Sequence, residues 1–211
     1  MKILCISDQI DPLIYSSGIK QRYYDVDMIL SAGDLPIDYL DFIISLLNKP
    51  AFYILGNHYT EDLAENKDFG EIYSFGAVCA DRKVHFKDGL IIAGLGGSMR
   101  YNNGENQFSD FQMYLRMFKL IPALILNRIF RGRWLDILLT HSAPRGIHDK
   151  TDKCHTGFKC FLWFMRAFRP KYLVHGHIHI YDLSELRTTK YHDTLVINAY
   201  SHYIIDTGAN L

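Results

Sequence analysis

Five apolar, strand-forming stretches along this chain each lead into a residue that can hold a cation. Ile3-Leu4-Cys5-Ile6 runs through Ser7 into Asp8, and Met28-Ile29-Leu30 leads to Gly33-Asp34. Phe52-Tyr53-Ile54-Leu55 opens into Gly56-Asn57-His58, Ile137-Leu138-Leu139 into Thr140-His141-Ser142, and Tyr172-Leu173-Val174 into Gly176-His177-Ile178-His179. Short apolar runs closed by polar residues and glycine read as strands. In α/β sheets, ligands bind beyond the carboxyl ends of the strands, which is where all five fragments fall. Carboxylate, amide and imidazole donors on rigid strand ends are what a hard or borderline divalent metal requires. Taken singly, each fragment has a plainer reading. Asp8 or Asp34 can cap a turn or helix, and an isolated histidine is more often a hydrogen-bonded structural group. Their joint occurrence in one order points to metal.

The segments between the fragments complete an α/β pattern. Ile37, Leu40, Ile43, Ile44 and Leu47 recur at helical spacing, and Pro50 restarts the chain as a strand. Val84-His85-Phe86 and Leu90-Ile91-Ile92-Ala93-Gly94, joined through Asp88-Gly89, read as a hairpin. Phe111, Tyr114, Leu115 and Phe118 mark a helix that Pro122 should end or kink. Phe158, Phe161, Leu162, Met165 and Phe168 mark another, and the tail from Leu183 to Ile205 reads as antiparallel strands. Strand–helix alternation followed by hairpins implies a mixed sheet.

With 211 residues and no linker, repeat or low-complexity tract, residues 1–211 are expected to form a single domain. Apolar content of 48% and charged content of 22% are ordinary for a globular chain. Basic and acidic side chains balance at 23 each, so no overall charge draws the molecule to nucleic acid or anionic membrane. The first residues enter a strand directly, without a signal-peptide pattern, and the four cysteines form no CxxC pair. A reduced, cytoplasmic location is the simplest expectation.

The order Asp8, Gly33-Asp34, Gly56-Asn57-His58, His141, Gly176-His177-x-His179 resembles the calcineurin-like metallophosphoesterases. The segments Gly94–Asn102 and Leu139–Gly146 are similar to those of small bacterial-type members. The resemblance implies a four-layer sandwich of two mixed β-sheets flanked by helices. It also implies a metal-dependent phosphoesterase hydrolysing a small phosphodiester or phosphomonoester by in-line attack of hydroxide generated at the metals. One or two divalent ions per chain (Mn²⁺, Fe or Zn²⁺) are expected. By the same resemblance Asp34 bridges them, Asp8 and His179 hold the first, and Asn57, His141 and His177 hold the second. His58 donates a proton to the leaving oxygen or stabilises charge on the phosphoryl group. Arg100, Arg145 and His155 are candidate substrate contacts, although Arg145, His148 and His155 also fit a solvated loop, and Arg100 a surface ion pair. His175 matches no ligand position and reads as structural. His177 and His179, two apart, converge only if the chain turns between strand and loop, which Gly176 helps allow.

Two positions depart from the family pattern. The usual first fragment is Asp-x-His, but here Ile10 replaces the histidine, leaving Gln9 or Asp11 as the nearby substitutes. Tyr59 stands where many relatives carry an acid, leaving Glu61 or Asp62 to orient His58. Two alternatives therefore stand beside a working hydrolase with an asymmetric metal pair: a weak or inactive phosphate-binding relative, and a nucleic-acid phosphodiesterase. The second needs a basic track, and only Lys119, Arg128, Arg131 and Arg133 near one helix offer it; a stable nucleic-acid complex is not expected. In that stretch the apolar core Leu120–Leu126 is far shorter than the roughly 20 residues of a membrane span. It reads as an outer helix packed on its own sheet, with a membrane- or partner-facing helix as the alternative.

Overall fold

The computed structural model describes residues 1–58, 76–182 and 184–208. Strands β1 (Lys2–Ser7), β2 (Met28–Ser31), β3 (Ala51–Tyr53), β4 (Ala77–Cys79) and β13 (Ser201–Asp206) form one sheet in the order β13-β1-β2-β3-β4. The second sheet is built from β5 (Val84–Lys87), β6 (Leu90–Leu95), β9 (Ile137–Thr140), β10 (Tyr172–His175), β11 (Thr188–Tyr191) and β12 (Thr194–Asn198). Its order is β11-β12-β10-β9-β6-β5. A short parallel ladder pairs β7 (Ser98–Met99) with β8 (Gln107–Phe108), and α1 (Ile19–Arg22) is a single turn. Both large sheets are mixed: their central strands run parallel, and β13, β11 and β5 are antiparallel edges.

Strand alternation builds the layers. On β1, Ile3 and Cys5 face the second sheet, whose Ile92, Ile137, Leu139 and Val174 complete a core between the two. Leu4 and Ile6 point the other way, onto Leu40, Ile43, Ile44 and Leu47 of α2 (Ile37–Leu47). On the outer face of the second sheet, Leu138 and Leu173 pack with Phe161, Phe164 and Met165 of α5 (Lys159–Phe168) and with Met113 and Met117 of α3 (Asp110–Phe118). The result is helix, sheet, sheet, helix, as the sequence implied. All five donor fragments follow carboxyl ends of parallel strands.

Three expectations need correction. Pro122 does not end the helix before it. A capping box between Ser109 and Gln112 opens α3, which stops at Phe118, and Pro122 sits in the first turn of a new helix, α4 (Ile121–Arg131). A proline is tolerated there because its missing N–H has no intrahelical acceptor. Phe111, Leu115 and Phe118 are exposed, so the stripe that marked α3 is not its buried side. In the tail, β12 pairs antiparallel with β11 but parallel with β10. No helix among the described residues is long and apolar enough to cross a membrane.

Candidate metal centre

The ligand-bearing corners are unusual in their backbone. Asp8, Asp34 and His177 all have left-handed φ, at 62°, 55° and 64°. Residues other than glycine rarely adopt this, aspartate and histidine being among those that do so most readily. The turn that reorients the last fragment thus falls at His177 itself. Gly176, assigned that task from the sequence, serves close approach instead: a Cβ there would strike Ser7 Oγ and Asp8 Oδ2. Gly56 is constrained likewise, since its Cβ would strike the Asp34 carboxylate.

Asp34, His141 and His177 bring one donor atom each within 4.8 Å of one another, a gathering that can hold a metal ion. His141 is fully buried, and its Nδ1–H donates to Ala32 O at 2.7 Å. That bond fixes the tautomer, so in the neutral ring Nε2 carries a lone pair. The lone pair faces Asn57 Oδ1 at 3.1 Å and Asp34 Oδ2 at 3.2 Å. Three electron-rich atoms pointed at one spot are stable only around a cation, whether a proton or a metal. Asn57 is oriented from outside: its Nδ2 donates to Tyr101 Oη at 3.2 Å, which turns Oδ1 inward. Asp34 Oδ1 accepts the His58 backbone N–H at 3.0 Å, whereas buried Oδ2 has no hydrogen-bond donor. An orphaned carboxylate oxygen among imidazoles and an amide oxygen fits a divalent ion of borderline hardness.

His177 Nε2–H donates to Cys154 O at 2.6 Å, freeing Nδ1, and its ring lies 4.8 Å from that of His141. Beyond it, Asp8 Oδ2 accepts from Ser7 Oγ and from the His177 backbone N–H, the latter at 2.8 Å. Asp8 Oδ1 faces His179 Nε2 at 3.9 Å, and His179 Nδ1 meets Tyr181 Oη at 2.8 Å.

Charges follow this geometry. Burial pushes Asp34 up, but the positive charge of His141 beside it and the His58 N–H outweigh it and hold the carboxyl below its ordinary value. Burial also opposes a charge on His141, yet Asp34 above all, then Asp8 and Ala32 O, raise it to about 9. His177 is lowered to about 3 by burial and then by His141, and burial lowers His179 too. Asp8 is raised, chiefly by burial.

The remaining sequence candidates are distributed unevenly. His58 has an exposed side chain beside Asp34. The ring of His155 lies 5.3 Å from that of His177, with Nδ1 2.8 Å from Asp152 Oδ1. Arg145 lines an open cavity of about 440 Å³ with Asp149, Lys150 and Thr156. Arg100 is not brought to the cluster: its guanidinium donates to Gln107 O and Gln112 Oε1. Asp11 cannot replace the missing histidine, because its carboxylate accepts from Ser201 Oγ, the Leu13 N–H and His202 Nδ1. Tyr59, Glu61 and Asp62 lie outside the described residues. His148, read as solvated, is half-buried instead. His175 Nδ1–H donates to Gly176 O, His148 Nδ1–H then donates to His175 Nε2 at 2.9 Å, and His148 Nε2 accepts from Thr189 Oγ1. The sequence reading also missed Lys150, whose Nζ donates to His179 O at 3.3 Å, and the orienting Tyr101. Tyr101 lies within the family-like segment Gly94–Asn102, but its role, like that of Lys150, shows only once the fold closes the loops.

Comparison with known proteins bears on the family and the fold. A sequence profile for calcineurin-like phosphoesterases matches residues 1–181, and the chain belongs to that family. It is a family of phosphoesterases that use divalent metals. The fold is similar to that of the crystal structure of TT1561 of Thermus thermophilus, at TM-score 0.65 and 13% identity, covering 95% of this chain and 89% of that one. Another solved crystal structure aligns at TM-score 0.66 and 12% identity over 98% of this chain and 95% of its own. None of the curated proteins searched matches the chain.

Proposed function

We propose that the chain is a metal-dependent hydrolase of small phosphodiesters or phosphomonoesters, with one tight and one weak metal position. The observation that carries this reading is the convergence of Asp34 Oδ2, Asn57 Oδ1 and His141 Nε2 on one point, with His177 within reach. Asn57, His141 and His177 would hold the tight ion, Asp34 would reach both ions, and Asp8 and His179 would hold the weak one. When bound, divalent ions supply an activated water and neutralise phosphate charge.

The chain's own residues do the rest. Ala32 O and Cys154 O hold the two imidazoles in the tautomers that offer lone pairs inward. Exposed His58, tied by its backbone N–H to Asp34, would give a proton to the departing oxygen. Arg145 and Lys150, which line one open cavity with Lys150 also bonded to His179 O, would supply positive charge for the phosphate oxygens, and His155 would join them beside His177. Turnover of a generic aryl phosphodiester with added Mn²⁺ tests the reading. Hydrolysis that a chelator abolishes and Mn²⁺ restores is the expected result. A protein that binds Mn²⁺ yet turns over neither aryl diester nor monoester is a phosphate-binding relative instead.

A further inference from the structure

Helix α4 turns its apolar side outward. At about 100° per residue, Pro122, Ile125, Leu126, Ile129 and Phe130 share one face, and all five are exposed, Ile129 at 67% and Phe130 at 79%. Leu120, Ile121 and Leu124 pack on the core of the second sheet as expected, but Leu124 is the one buried residue of the helix itself, and the rest of its apolar side is left uncovered. Single exposed aliphatic residues need no explanation, but a whole helix face of them marks a binding surface.

Charge identifies the occupant. From Phe111 to Leu135 the chain carries Arg116, Lys119, Arg128, Arg131 and Arg133 without one Asp or Glu, although the whole chain has zero net charge. Asp81 neutralises Arg116, and Asp136 neutralises Arg133. Lys119, Arg128 and Arg131 remain exposed and without a carboxylate partner among the described residues. Arg128, at the margin of the apolar face beside Ile125, folds back onto Gly132 O, whereas Arg131 lies on the opposite side of the helix with its guanidinium 3.6 Å over the Phe86 ring. We infer that α4 docks in the plane of an anionic lipid surface. Ile125, Leu126, Ile129 and Phe130 enter the boundary of the acyl chains, and Lys119 and Arg128 meet the lipid phosphates. A second copy of the chain is disfavoured, since pairing two such faces opposes like charges. With 11 residues the helix lies on the surface rather than crossing it. It hands the chain to the amino end of β9, whereas His141 follows the carboxyl end, so docking leaves the metal centre open.

Sedimentation with vesicles tests this, using phosphatidylcholine alone and phosphatidylcholine mixed with phosphatidylglycerol. The full chain should sediment with the anionic vesicles, more weakly as salt rises, and not with the neutral ones. The double substitution Lys119→Gln/Arg128→Gln should lower partitioning on the order of fivefold per residue. Ile129→Ser/Phe130→Ser should abolish it while leaving circular dichroism and thermal melting unchanged, because both side chains are exposed. Absence of sedimentation with anionic vesicles, or equal sedimentation of the wild type and Ile129→Ser/Phe130→Ser, overturns the inference. So does a concentration-dependent dimer that the same substitution dissolves without any vesicle binding, which would assign the face to a second copy.

Discussion

At one corner of the metal centre, Asp34, His141 and His177 crowd their donor atoms within 4.8 Å, and carbonyls at Ala32 and Cys154 hold the two rings. At the other, Asp8 and His179 stand 3.9 Å apart, and the His179 side chain is 40% exposed. On the proposed reading the missing imidazole accounts for the contrast. Ile10 cannot ligate, and Asp11 spends its carboxylate on Ser201 and His202. A pre-oriented ligand costs little to recruit beyond the proton that His141 gives up, while a loose one must be ordered and desolvated as the ion arrives. One site of this kind can therefore be strong where its neighbour is weak.

The comparison can be broken most directly at the shared carboxylate. Asp34→Asn should cut Mn²⁺-dependent turnover of an aryl phosphodiester by about 10³-fold, the loss of several kcal/mol of transition-state stabilisation. Next in size is a pair of variants. His141→Ala should weaken the tight Mn²⁺ site by more than about 100-fold, whereas His179→Ala should leave that affinity nearly intact; titration calorimetry separates the two. Restoring the absent ligand sharpens the contrast from the other side. Ile10→His should raise the bound metal towards two per chain by elemental analysis. It should cost the fold no more than about 1 kcal/mol, since Ile10 is 40% exposed. Tyr101→Phe, which frees the Asn57 amide to rotate, should weaken the tight site by about tenfold.

The smallest effect concerns the backing of the tight corner. Burial lowers His148 to about 4 and His175 to about 3. Between those values and the ordinary histidine range the unfolded chain binds more protons than the folded one, so stability must fall as pH falls. The melting temperature, measured in chelator, should therefore decline from about pH 6.5 towards pH 4. His148→Asn should flatten part of that slope.

How much of this was legible in the sequence depended on where the signal lay. The strand ends were readable because each donor directly follows an apolar run, and α2 because Leu40, Ile43, Ile44 and Leu47 share one face. The outer helices were not. Periodicity announces a stripe but does not say what covers it, and α3 buries Met113 and Met117 while exposing Phe111 and Phe118. Within the site, the ligand types and order could be read, whereas the supports could not. Tyr101 reaches Asn57 across 44 positions, His148 reaches His175 across 27, and Ser201 reaches Asp11 across 190. Contacts at such separations leave no local pattern, because the fold alone makes them neighbours.

Calorimetric titration of chelator-stripped protein with Mn²⁺, run beside the His141→Ala variant, addresses the centre most directly. One tight equivalent followed by a much weaker one, with the tight step lost in the variant, is the expected result. No binding to the wild type, or a tight step that survives the loss of His141, would contradict it.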